Sequence, residues 1–152
     1  MIVELTPEEK AQVIENYGQI YKILGRILSM EDPQGRMLEH FWVIGLESVH
    51  RIKYLELVAL GGMNIVHIDT LDVFRLAVMF GCKRMLIAHN HPNGSLEFSK
   101  PDKDLTYRLV LAGSHLSVNV IDHLIVNDAG DGRHLIGGNM APPPTKRPRK
   151  KS

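Results

Sequence analysis

The sequence predicts one α/β or α+β domain, a mixed sheet with flanking helices entered through a helical lead-in. Three observations carry this. The chain has 152 residues, within the roughly 100–200 that one domain takes. Its composition, 44% hydrophobic and 23% charged, is ordinary globular material. Short apolar runs of strand length alternate with segments whose apolar residues recur every three or four positions.

Taken in order, residues 7–29 read as a helix. Pro7 and the pair Glu8-Glu9 suit a first turn, and Val13, Ile14, Tyr17, Ile20, Tyr21, Leu24, Ile27 and Leu28 form one face. Glu31-Asp32-Pro33-Gln34-Gly35 reads as a loop. Phe41 to Leu46 and Ile52 to Leu60 read as two strands joined through Glu47-Ser48-Val49-His50-Arg51. Asp69-Thr70-Leu71-Asp72 caps a helix that runs to about Phe80, before Gly81. Arg84 to Ala88 is an apolar run expected as a buried strand, and Asp102 to Ala112 a helix stopped by Gly113. Leu116 to Ile121 and Leu124 to Val126 read as strands, followed by a turn at Asp128-Ala129-Gly130-Asp131-Gly132 and then His134-Leu135-Ile136. The expected organisation is a helical lead-in over 1–37, the main domain over 38–140 and a disordered basic tail over 141–152.

Several function classes drop out early. A single cysteine, Cys82, permits neither an internal disulfide nor a cysteine-rich zinc site, which suits a reducing compartment. The start of the chain lacks the pattern of a signal peptide, and no run approaches 18 uncharged apolar residues, so a cytoplasmic, non-membrane protein is expected. The net charge of +1 hides an asymmetry: residues 1–141 hold 13 basic and 17 acidic residues, while the tail adds Lys146, Arg147, Arg149, Lys150 and Lys151. Pro142-Pro143-Pro144 makes that tail a poor helix or central strand. It reads either as a solubilising end or as a basic arm for weak nucleic-acid contact. Cys82, beside Gly81 and Lys83, is expected as a small buried hydrophobe.

Chemistry concentrates where the apolar run 84–88 ends. His89 and His91 are two apart in an extended segment, so both imidazoles face the same way, and Pro92 favours that geometry for His91. Such a pair offers two neutral nitrogen ligands at about 2.0–2.1 Å from zinc. Asp102, at the start of the next helix, is the candidate third ligand. Ser99-Lys100-Pro101-Asp102 also fits a capping box, and the two readings are compatible. The combined pattern His-x-His-Pro-x-Gly-x4-Ser-x2-Asp fixes six residue types, at a chance expectation of roughly one in several hundred thousand. Asp122 and Asn90 are candidates to anchor a ligand imidazole, and His123 fits the core or that same role.

His89-Asn90-His91-Pro92-Asn93-Gly94 with Ser99 and Asp102 resembles the JAMM signature of the JAB/MPN metalloproteases. The longer string Ala88 to Asp102, with Asp122-His123-Leu124-Ile125-Val126, is most similar to the RadC-like branch, and the similarity runs from about Leu38 to Val126. The resemblance implies a cytidine-deaminase-like α/β fold and a Zn2+ site of His89, His91 and Asp102. It also implies hydrolysis of an amide or isopeptide bond in a peptide or isopeptide-linked protein, by a metal-activated water and a glutamate general base. Counting along the matched segment puts that glutamate on Glu56, with Glu47 as fallback, and puts Ser99 on the serine that helps stabilise the oxyanion. From the residues alone, Glu56 in Leu55-Glu56-Leu57 equally suits an edge strand with its carboxylate in solvent. The chain has Phe98 where the family usually has proline before the serine, and residues 1–37 lack the Gly-rich hairpins of the helix-hairpin-helix region found in full-length RadC proteins.

Rival readings differ in class. His89-Asn90-His91 spells H-N-H, but the metal nucleases of that name spread their residues over a hairpin and a helix. A zinc nucleobase deaminase requires cysteines that this chain lacks. The remaining alternative is a non-catalytic interaction module of the same fold whose basic tail contacts nucleic acid. Oligomeric state is not legible in the sequence.

Overall fold

A computed structural model of the chain describes residues 1–62 and 67–137. The expected tail over 141–152 lies outside the described residues. Five strands form one mixed sheet in the order β2-β1-β3-β4-β5, with β1 at Glu39–Leu46, β2 at Ile52–Gly61, β3 at Arg84–His89, β4 at Asn119–Val126 and β5 at Gly132–His134. The pairs β1/β2, β1/β3 and β4/β5 are antiparallel, and β3/β4 is parallel. The parallel pair needs a crossover. Helix α5, Lys100–Leu116, supplies it.

Alternation along the strands builds two cores. Trp42, Ile44, Leu86, Ala88 and Leu124 point to one face, where Ile20, Ile23, Leu24 and Leu28 of α2 (Tyr17–Ser29) cover them. Phe41, Val43, Met85, Ile87 and Val120 point to the other, under Val73, Phe74 and Ala77 of α4 (Thr70–Phe80) and Leu105 and Leu109 of α5. The result is a helix–sheet–helix sandwich, the mixed α/β class expected, built as a JAB/MPN-type domain is.

Four elements differ from the sequence reading. The helix expected over 7–29 is two: α1 ends at Ala11, and α2 begins at Tyr17 with Asn16 and Gln19 as a reciprocal capping box. Between them Ile14 donates its amide to the His50 carbonyl, so tertiary pairing takes the backbone group a continuous helix would use. The loop expected at 31–35 holds a four-residue turn, α3 at Pro33–Arg36, capped by Asp32. Helix α5 runs through Gly113 to Leu116 and ends at Ser117 in the left-handed region (φ 58°). Gly113 is no stop signal: a Cβ there would collide with the Val118 carbonyl, so glycine permits close approach of the returning chain. Pairing with β3 from Asn119 to Ile125 makes β4 one strand, where two were expected. A register irregularity at Met85/Leu86 sets Asp122 opposite Leu86 and His123 opposite Ile87. His123 is thereby turned to the α5 face.

Candidate metal centre

Strand β3 delivers the two histidines. His89, its last residue, is fully buried, and His91 stands just beyond it with its ring nearly perpendicular (85°, centroids 4.8 Å apart). The chain then reverses, with Gly94 at φ 77° donating its amide to the His91 carbonyl. It re-enters as α5, capped by Ser99. In that capping box the Ser99 amide donates to Asp102 Oδ2 (2.8 Å) and the Asp102 amide to Ser99 Oγ (3.2 Å). The same Oδ2 stands 3.4 Å from His89 Nε2 and 3.3 Å from His91 Nε2. Cap and prospective ligand are one carboxylate.

A glutamate completes the group, and it is Glu39. Ligand atoms of Glu39, His89 and His91 all lie within 4.8 Å of one another. The register explains this. Phe41 pairs with His89, and Glu39, two residues earlier on β1, shares the face of Phe41 and lies beside the chain continuing to His91. Glu56 belongs to β2, where it pairs with Val43 and bridges to Ile2, so all of β1 stands between it and β3. The structure therefore groups Glu39, where counting along the sequence had indicated Glu56, with the histidines. The fallback Glu47 lies at the far end of β1, where its carbonyl accepts from Arg84.

Asn90 holds Glu39 in place. Its Oδ1 accepts the His40 amide (2.7 Å) and its Nδ2 donates to the Leu38 carbonyl (3.1 Å), gripping the backbone on both sides of Glu39. Asn90 thus acts on the glutamate segment rather than on an imidazole. Asp122 also does other work than the sequence suggested: its carboxylate accepts the amides of His123, Leu135, Ile136 and Gly137, tying down the segment after β5. The partner of the His89 ring is His123, with Nε2 2.7 Å from His89 Nδ1, while His123 Nδ1 lies 2.5 Å from Thr106 Oγ1. Phe41 and Phe98 pack edge-on against His123, and Phe98 also against His89, so Phe98 closes the apolar wall around this pair.

Burial pushes the Glu39 carboxyl above its usual range; His89 and His91 pull it back, and Asp102 adds to the rise. For Asp102, burial also acts upward, but His89 and the Ser99 amide and hydroxyl outweigh it and hold the carboxyl well below the ordinary range. Burial drives His123 well down, so its imidazole is neutral near pH 7.

The donor set fits a zinc ion. Ligands about 2.0–2.1 Å from a tetrahedral centre lie about 3.3–3.4 Å apart, the separation between Asp102 Oδ2 and both imidazole nitrogens. His89 Nε2 is buried without a hydrogen bond among the described residues, as a nitrogen reserved for a cation would be. His91 Nε2 lies 2.8 Å from the Glu97 carbonyl, a contact it would exchange on ligation.

An α/β sandwich with two histidines at the end of a central strand, a helix-capping aspartate and a strand-borne glutamate defines a JAB-type domain with a candidate metal centre. The family model for the RadC-like JAB domain matches residues 14–133, a span that takes in α2. The chain belongs to the RadC-like JAB domain family. A UPF0758 protein of Caldanaerobacter subterraneus subsp. tengcongensis is 35% identical over 108 residues, 71% of this chain and 45% of that relative. One from Desulforudis audaxviator is 33% identical over 101 residues, 66% and 44% of the two chains. One from Methanococcoides burtonii is 28% identical over 135 residues, 88% and 55%. The chain thus spans about half the length of the curated relatives it matches. No helix among the described residues is long and apolar enough to cross a membrane.

Proposed function

We propose that this domain is a zinc-dependent hydrolase of the JAMM metallopeptidase type, cleaving an amide or isopeptide bond in a peptide or protein substrate. The observation that carries the reading is the convergence of Glu39 from β1, His89 and His91 from the end of β3, and Asp102 from the start of α5. His89, His91 and Asp102 would hold the metal. Zinc, when bound, supplies Lewis acidity: it lowers the pKa of water from 15.7 toward about 7 and offsets charge on a polarised carbonyl.

The remaining work falls to the chain. Glu39 takes a proton from the attacking water and returns it to the departing amine, a task suited to a carboxylate grouped with the two histidines. Ser99 Oγ accepts the Asp102 amide, which leaves its own O–H to donate toward the oxygen that gains charge. Phe98 keeps bulk water from the His89–His123 side.

Metal content by mass spectrometry tests the site, and peptide and isopeptide cleavage tests the chemistry. Near-stoichiometric zinc is expected in the wild type and its loss in His91→Ala and Asp102→Ala. Glu39→Gln is expected to retain zinc and lose cleavage by a factor of roughly 10²–10⁴, with Glu56→Gln close to wild type. Zinc that ignores both ligand substitutions, or cleavage that survives Glu39→Gln and fails in Glu56→Gln, would overturn the reading.

A further inference from the structure

Behind His89 lies a chain of hydrogen bonds whose proton positions can be deduced. Thr106 Oγ1 is 2.8 Å from the Asp102 carbonyl, one turn back in α5. A carbonyl cannot donate, so the single hydroxyl hydrogen of Thr106 is committed to it. Toward His123 Nδ1, 2.5 Å away, the same oxygen can then only accept, and His123 must carry its proton on Nδ1. A neutral imidazole with Nδ1–H has a bare Nε2. That atom meets His89 Nδ1 at 2.7 Å, so His89 is the donor, and in the neutral imidazole its own Nε2 is left as a lone pair. The lone pair is buried and faces the Asp102 carboxylate oxygen at 3.4 Å. With His89 neutral, two acceptors face each other there, an arrangement that a cation between them satisfies.

We propose that Thr106 and His123 are positioning residues which fix His89 as its Nδ1–H tautomer, so that a single helix hydroxyl directs the Nε2 lone pair at the metal site. The inference rests on the metal-site reading above and deepens it. Both residues are buried, and the elements that carry them, α5 and β4, pack against each other. The tautomer is therefore set before any metal arrives. Thr106 also links the three groups through one residue: its acceptor is the Asp102 main chain, and its donor partner leads to His89.

The test has two readouts on the whole chain. Long-range 1H–15N spectra of the chelator-treated protein report which ring nitrogen carries the proton. Both His89 and His123 are expected as Nδ1–H; a His89 ring protonated on Nε2 overturns the proposal. Competition with a chromogenic chelator then gives zinc affinity for the wild type, Thr106→Val and Thr106→Ser. Valine keeps the shape and removes the oxygen, and should weaken zinc binding about 10–100-fold, while serine restores it. A folded Thr106→Val protein that binds zinc like the wild type also overturns the proposal. If the wild type takes up no zinc, the hydrolase reading fails, and the tautomer spectra still decide the relay. If the valine variant does not fold, the wild-type spectra decide alone.

Discussion

Asn90→Ala isolates the clamp that places Glu39. In the wild type the Asn90 amide group satisfies a buried main-chain donor, the His40 N–H at 2.7 Å, and a carbonyl near the surface, that of Leu38 at 3.1 Å. Alanine reaches neither. The Leu38 carbonyl, on a residue 37% exposed, can turn to water and contributes little to the loss. The His40 amide lies on a 1% exposed residue beside a side chain only 3% exposed, so it stays unsatisfied at about 1–3 kcal/mol. A loss of about 2 kcal/mol, at a urea dependence of about 1–3 kcal/mol/M, lowers the unfolding midpoint by about 1 M. Urea titration followed by circular dichroism measures it, with Asn90→Asp as a control that keeps the acceptor for His40. The functional arm follows from the same geometry: freed on both sides, Glu39 loses its fixed approach, and cleavage should fall while zinc content stays constant. A midpoint indistinguishable from wild type would refute the reasoning, as would parallel loss of zinc and cleavage.

Gly25→Ala should destabilise although alanine is the better helix former by about 1 kcal/mol, because its Cβ would sit 2.6 and 2.7 Å from the Gly130 backbone. With overpacking at about 1–3 kcal/mol, a Tm drop of a few degrees is expected, and a rise would mean that α2 does not dock on that turn. Asp102 gives an acid-limb prediction for the zinc-free protein. Its folded pKa lies below the unfolded value, so its stabilisation is present above about pH 4 and drains away as pH falls toward the folded pKa. Asp102→Asn should flatten stability over that acid range, and an unchanged acid limb would count against the carboxylate's environment. Zinc at 100 times its Kd should add about 2.7 kcal/mol, raising Tm by about 5–11 °C, reversibly with chelator and not in His91→Ala.

The sequence carried the loop half of the site well and the strand half poorly. His89, His91, Ser99 and Asp102 fall within fourteen residues, and their spacing reports local geometry: period two in a strand, three in a capping box. Glu39 joins them across fifty positions through the β1/β3 register, which no local pattern encodes. One clue was available, since Glu39 is in phase with the inward-facing Phe41 and Val43. Glu56 was indicated by counting along the matched segment, but it stands on β2, at the sheet edge beyond β1, and the sequence does not give strand order. The break at Gln12–Asn16 was legible as Asn16 and Gln19, a capping pair hidden by the continuous apolar periodicity around it. Thr106 and His123 were illegible as a pair because the irregularity at Met85/Leu86 decides which face His123 takes.

The capping box at the start of α5 has a thermodynamic consequence. Many small metal sites are assembled only as the ion binds, so their affinity is diminished by the ordering of the backbone that carries the ligands. Here the Asp102 carboxylate already accepts the Ser99 amide while the Asp102 amide donates to Ser99 Oγ, so the reciprocal cap fixes the aspartate in the first turn of α5. Metal uptake at this carboxylate resembles docking to a finished surface rather than coupled folding. Calorimetry should then record a heat-capacity change close to zero, because almost no apolar surface remains to be buried when the ion enters.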